Sequence, residues 1–324
     1  MYSFTQLQEI IEKELKEIRY PETPEELYQP VKYILSNGGK RIRPVLVLAS
    51  CNIFSEDISP AVKPALGCEI FHNFTLMHDD IMDQSPVRRN MPTVHTKWNE
   101  NTAILSGDAA MILAYKYIMQ SPPETLPAVF EVFNTTALQV CEGQQLDMNF
   151  ETRRNVTIEE YLEMIALKTS VLLAACLKIG AITGRAGEEE AELLYGFGKN
   201  MGIAFQLQDD LLDVYSDESK FGKKTGNDIV TNKKTWLLIK SLELMDGNGH
   251  QQLFTLLENN KTAPEEKIKH VTAIYDSLDI KTLATEEITG YFRKAMQFLD
   301  KVNIPPERKE ILAGFAEKII KREN

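Results

Sequence analysis

Three carboxylates, Asp79, Asp80 and Asp83, crowd into the short stretch "HDDIMD". The arrangement recurs in "FQLQDDLLDVY", with Asp209, Asp210 and Asp213. Both stretches continue helix-patterned apolar runs, "ALGCEIFHNFTLM" and "MGIAFQLQ". In each set the first and last aspartates, four apart, project from one helix face, and the middle one points partly aside. Like charges at that spacing repel, and burying them unpaired costs far more. A cation therefore belongs at each set. All-oxygen donors suit Mg²⁺, which keeps several waters and bridges a few carboxylates to substrate phosphates. Calcium in an EF-hand fits poorly, because neither set has the DxDxDG loop with a distal Glu. His72 lies seven residues before Asp79 on the same stripe, and Gln206 sits one turn before Asp210.

Cationic patches accompany the carboxylates. "NGGKRIRP" supplies Gly38 and Gly39, then Lys40, Arg41 and Arg43, with Pro44 suited to a helix's first turn. Glycines let the backbone approach an anion, and a helix start offers free N–H groups. "PVRRNMP" puts Arg88 and Arg89 just beyond the first aspartate set, and "LKTS" places Lys168 and Thr169 inside an apolar helix. Each patch alone reads as ordinary surface. Together with two aspartate sets they imply a metal-bridged phosphate substrate and a second anion held by Arg and Lys.

The elements that must position these residues read as helices. Apolar residues recur at three- and four-residue spacing over 4–18, 61–83, 101–119, 125–150, 158–183, 188–215, 235–245, 250–258, 265–278, 281–300 and 306–322. No segment alternates like a half-buried strand, and Pro/Gly breaks such as "SPPE" and "VNIPPE" suit short helix connections. With no linker, repeat or low-complexity tract, the pattern predicts one all-α domain over 1–324. The stretch 216–234, polar with two glycines and five lysines, reads as a solvated loop or a flap over a site.

The motifs "GGKRIRP", "HDDIMD…RRNMPTVH", "GD" at 107–108, "KTS", "FQLQDDLLD" and "FGKKTGND…NKKT" occur in the order found in one family. Over about residues 35 to 240 the chain resembles the trans-type (head-to-tail) isoprenyl diphosphate synthases, or polyprenyl synthetases. The resemblance implies a single large helical bundle of the isoprenoid synthase type with a central cavity. It implies three Mg²⁺ ions, with Asp79 and Asp83 ligating two, Asp209 a third, and Asp80, Asp210 and Asp213 in support. Arg88, Lys168, Lys223 and Lys233 would hold the allylic diphosphate, and Gly39, Lys40, Arg43, His72 and Arg89 the isopentenyl diphosphate. Lys168, Thr169 and Gln206 would stabilise the carbocation, and the departed diphosphate would take the proton. The flap would exclude water from that cation. An aromatic five residues before the first aspartate marks short-chain members, and Phe74 fits. Thr75 and Phe71 lie about 6 and 12 Å behind Asp79 along the helix, and the three together predict a C15–C20 product. The two-residue insertion in the first motif of many bacterial farnesyl synthases is missing here. A homodimer is the expected assembly.

Two other readings remain. A terpene cyclase also uses DDxxD, but it carries an Asn/Ser/Glu-type second motif and needs no "GGKRIRP". A regulatory subunit tends to lose one aspartate motif, and both are present. Composition narrows the field further. A net charge of −11 argues against general nucleic-acid binding. Cys51, Cys68, Cys141 and Cys176 are far apart with mostly apolar neighbours, and so read as buried free thiols of a reducing cytosol. "MYSFTQLQEIIEKELKEI" reads as an acidic amphipathic helix rather than a signal peptide. No uncharged stretch reaches the roughly 20 residues of a membrane span. A soluble cytoplasmic protein without stable membrane insertion is expected.

Overall fold

Helix α1 (Phe4–Lys16) begins at Ser3, whose side chain accepts from the Gln6 amide while Gln6 answers the Ser3 amide. Its stripe of Leu7, Ile11 and Leu15, spaced by one turn, is buried. The same logic repeats along the chain in a computed structural model that describes residues 1–216, 225–259 and 262–320. These residues fall into two compact units. One comprises Met1–Thr136, Ala175–Tyr195 and Val302–Leu312, the other Ala137–Ala174, Gly196–Lys301 and the stretch from Ala313.

The first unit holds α1, α2 (Glu25–Ser36), α3 (Ile42–Asn52), α4 (Ser59–Met82), α5 (Val94–Lys97) and α6 (Glu100–Ile118). Every residue of α3 from Pro44 to Asn52 is buried, which makes it the central helix of that unit. Helix α4 packs along α6 in the opposite direction. Near one end Gly67 faces Ile118, where an added Cβ would come within 2.9 Å of its side chain. Near the other, Gly107 faces His78, where the same atom would come within 2.2 Å. Small residues on both helices thus permit the approach, and α4 presents its aspartates at the end of this pair.

Helices α7 (Leu126–Thr152) and α10 (Glu188–Tyr215) begin in the first unit and end in the second, and α9 (Val171–Thr183) runs the other way. The second unit also holds α8 (Ile158–Ile165) and most of the later helices. Its core gathers Tyr161, Ile165, Leu207, Trp236, Leu253, Val271, Tyr275 and Ile288. Three glutamates in the first turn of α10 complement that helix's positive end.

Four local features depart from the sequence reading. The run 158–183 is not one regular helix, because Ala166–Ser170 forms a π turn between α8 and α9. Helix α2 was hidden by Pro24 and Pro30, the latter inside the helix. A two-residue ribbon, β1 (Val87–Arg88) paired with β2 (Met91–Pro92), interrupts the all-helical pattern. Cys51, Cys68 and Cys176 are buried as expected, but Cys141 is exposed, since apolar neighbours in sequence do not fix which helix face a residue occupies. Among the described residues one helical run, Ile158–Thr183, is long and apolar enough to cross a membrane, yet 72% of that window is buried within the chain, as in a core helix.

Candidate active site

At the C-terminal end of α4 the three aspartates separate by helical rotation. Asp80 turns inward and is 2% exposed. Asp79 is partly exposed, and Asp83 caps the helix in the open. Arg88 closes over the first two, with Nε 2.7 Å from Asp80 Oδ1 and Nη2 3.4 Å from Asp79 Oδ2. Burial raises the Asp80 carboxyl pKa, and the Arg88 charge offsets that only in part.

Arg88 ends β1, and the next two residues, Arg89 and Asn90, have φ of 53° and 61°. Positive φ at both central positions is the backbone of a type I′ hairpin turn. The turn aims Arg89 away from the aspartates, where it donates to the Gly38 carbonyl. Gly39, at φ 137°, leaves the room, for a Cβ there would lie 2.8 Å from Arg89 Nη1. Close by in charge, Arg43 Nη1 donates to His72 Nε2 at 3.1 Å. Arginine only donates, so this nitrogen accepts and the imidazole is neutral. Burial holds the His72 pKa well below its usual value, followed by Arg43, Arg89, Arg88 and Arg41. The structure therefore brings Gly39, Arg43, His72 and Arg89 into one basic cluster, with Lys40 exposed beside Gly39.

Arg41 has a different task. In the left-handed conformation at φ 48° it turns inward, 3% exposed. It binds Glu12 and Glu69, each at 2.8 Å, and donates to the Leu35 carbonyl at 2.6 Å. Those bonds fix the start of α3, and hence Arg43, the second residue of that helix.

Behind Asp79 on α4, Phe71 is 1% and Phe74 8% exposed, and Thr75 Oγ1 donates to the His72 carbonyl at 2.8 Å. Phe71 packs against Phe133 rather than facing open space.

The second unit assembles its own group. Within the π turn, Val171 N–H bonds Ala166 O, five residues back, and Ser170 Oγ donates to Ile165 O at 3.2 Å. The turn brings the Lys168 backbone against Gly143 of α7, where a Cβ would lie 2.2 Å from the Lys168 nitrogen. Lys168 Nζ pairs with Asp147 at 2.6 Å. Thr169 Oγ1 donates to Gln206 Oε1 at 3.4 Å, and Gln206 Nε2 donates to Asp210 Oδ1 at 3.1 Å. Asp210 is 3% exposed and also receives the Tyr161 hydroxyl. Asp213 accepts the Asp228 amide at 3.0 Å. Asp209, next to Asp210 near the end of α10, is partly exposed. Burial and the Asp228 charge push the Asp210 carboxyl up to about 7 and Asp213 to about 6, while Lys233 opposes both. Lys223 lies outside the described residues.

Asp147, Asp228, Tyr161 and Glu69 escaped the sequence reading. The "GND" next to the lysine-rich stretch was the one signal for Asp228. Among the described residues no three His, Cys, Asp or Glu side chains stand ready-converged as a metal cage. The donor chemistry nevertheless fits Mg²⁺. Asp228 raises the proton affinity of Asp210 and Asp213, and Asp147 raises that of Asp228, the sign of negative charge that a hard divalent cation would neutralise.

The polyprenyl synthetase family model matches residues 24–275. A geranylgeranyl diphosphate synthase of Methanosarcina mazei is 39% identical over 303 residues, covering 93% of this chain and 91% of the relative. A geranylfarnesyl diphosphate synthase of Natronomonas pharaonis is 39% identical over 246 residues, covering 70% of this chain and 72% of the relative. A crystal structure of geranylgeranyl pyrophosphate synthase matches with a TM-score of 0.95 at 41% identity, covering 100% of both chains. The fold is thus the all-α isoprenoid synthase fold, and the class of protein a prenyltransferase. The chain belongs to the polyprenyl synthetase family.

Proposed function

We propose that the protein condenses isopentenyl diphosphate head-to-tail with an allylic diphosphate and releases an all-trans C15–C20 prenyl diphosphate. Similarity to a geranylfarnesyl synthase extends the plausible range to C25. One observation carries the reading: a single hairpin sets Arg88 on Asp79 and Asp80 while its turn residue Arg89 reaches the Gly38–Gly39 backbone and the Arg43–His72 cluster. An acidic group for a metal-bound diphosphate thereby adjoins a basic group for a metal-free one.

Asp79, Asp83 and Asp209 would hold three Mg²⁺ ions, supported by Asp80, Asp210 and Asp213. Bound magnesium supplies charge neutralisation on the departing diphosphate. Arg88, Lys168, Lys223 and Lys233 add fixed positive charge around that leaving group. Gly39, Lys40, Arg43, His72 and Arg89 orient isopentenyl diphosphate, with His72 serving as a neutral acceptor for Arg43. Lys168, Thr169 and Gln206 present dipoles to the carbocation, and Phe71, Phe74 and Thr75 limit the tail. Neither unit carries both motifs, so we assign the two to one catalytic domain. A cytoplasmic homodimer is proposed, the dimer supported by Leu105 and Ile112 on one face of α6 and Met119 at its C-cap, which are 60%, 64% and 52% exposed.

The test incubates purified protein with Mg²⁺ and isopentenyl diphosphate plus dimethylallyl, geranyl or farnesyl diphosphate, and reads released diphosphate and product mass. Release only when both substrates are present, abolished by EDTA, is expected. Release from the allylic substrate alone would identify a cyclase, and activity only with an added partner subunit would identify a regulator.

A further inference from the structure

Phe74 is not held by its own helix alone. On the next turn of α4 the His78 imidazole stands edge-on against its ring, with centroids 4.8 Å apart and planes at 69°. That imidazole is itself seated. Its Nε2 donates to the Ile104 carbonyl of α6 at 3.0 Å and lies 3.9 Å from Asp108 Oδ1. The seat exists because residue 107 is glycine, since a Cβ there would fall 2.2 Å from Nε2 and 2.5 Å from Cδ2. On its other side Phe74 meets Phe71 at 5.5 Å, which meets Phe133 at 5.3 Å, which meets Tyr115 at 5.0 Å. Phe71 and Phe133 are each 1% exposed, and the Tyr115 hydroxyl is tied to Asn134 Oδ1 at 3.0 Å. Phe74 is wedged between a packed aromatic row and an imidazole seated in a notch.

We propose that His78 and Gly107 are positioning residues for product length, acting through Phe74. This rests on the chain-elongation reading above. A side chain stops a growing prenyl tail only if its rotamer cannot yield. An aromatic ring clamped from both sides keeps one χ1 well, whereas a ring clamped from one side can swing into another. Removing the imidazole, or filling its notch with a methyl group, releases the same ring. The tail needs no contact with either residue.

The test measures product masses with Mg²⁺, isopentenyl diphosphate and geranyl or farnesyl diphosphate, beside unfolding midpoints, for the wild type, Phe74→Ala, His78→Ala, Gly107→Ala and the His78→Ala/Gly107→Ala pair. The ratio of products at least one isoprene unit longer than the wild-type product to that product should rise at least threefold in both single clamp variants. The pair should match His78→Ala alone, because without the imidazole the added methyl group has nothing to displace; coupled neighbours are non-additive in this way. A loss of stability alone would not lengthen a product. His78 is about one-fifth exposed, so its truncation decides the matter even if Gly107→Ala does not fold. If Phe74→Ala lengthens the product while His78→Ala does not, the clamp is wrong and the elongation reading stands. If Phe74→Ala also leaves the length unchanged, the clamp falls with the tail-stop role of Phe74. If the wild type makes no prenyl product, the elongation reading itself fails.

Discussion

Replacing His72 with Gln should remove a pH dependence from the stability of the protein. In the fold His72 Nε2 takes a hydrogen from Arg43 Nη1 at 3.1 Å. Protonating the ring would destroy that bond and set two unit charges at that separation. At an effective dielectric constant of 20, such a pair repels by about 5 kcal/mol. Burial and the neighbouring arginines act in the same direction, so the folded pKa is lowered. An unfolded histidine titrates near 6.5. The folded state therefore binds fewer protons than the unfolded one, stability is complete above the unfolded pKa, and it drains away as pH falls below it. With the folded ring still neutral, the loss between pH 7.5 and pH 5.5 is RT ln 10, about 1.4 kcal/mol. Gln keeps an acceptor for Arg43 and does not titrate. Urea unfolding of both proteins at the two pH values should show the wild type losing about 1.4 kcal/mol more than His72→Gln. Equal losses would refute the neutral-acceptor assignment, as would a His72 ring signal in NMR that titrates near pH 6.5.

Other substitutions probe the rest of the site. Arg88→Ala strands Asp80, a carboxylate 2% exposed, and should cost about 2–3 kcal/mol in denaturant unfolding as well as impairing turnover. Gly39→Ala drives a methyl group against Arg89 at a backbone of φ 137°, and should raise KM for isopentenyl diphosphate about tenfold or more with a smaller effect on the allylic substrate, read from initial rates. Ile112→Asp, at a side chain 64% exposed, should leave the monomer folded by circular dichroism but shift sedimentation toward monomer if the α6 face joins two copies.

Long helices were legible because their apolar period persists over many turns. The pattern over 188–215 coincides with α10, and that over 61–83 lies within two residues of α4. Shorter or irregular elements left no such record. The π turn adds about one residue to the helix, but residues 171–177 after it are all buried, so there is no one-sided stripe whose shift could show it, and only the approach to Gly143 reveals its purpose. The 87–92 ribbon has two residues per strand and no glycine in its turn, so neither alternation nor a turn signature announces it. The aspartate and arginine motifs were readable because their side chains cluster in sequence. Asp147, Asp228 and Tyr161 come from separate elements and meet only after folding, so spacing alone could not reveal them. Arg41 was equally silent in the sequence. It stood inside a basic motif and was given no role, and a left-handed backbone turns it toward two glutamates.

The hairpin at 87–92 leaves no slack. Two adjacent arginines on a two-residue loop answer to different clients, carboxylates on one side and a glycine carbonyl on the other. Any insertion there would swing one guanidinium out of reach as it preserved the other. Loop-grafting between relatives should therefore treat this segment as a fixed-length part, exchanged whole or left alone.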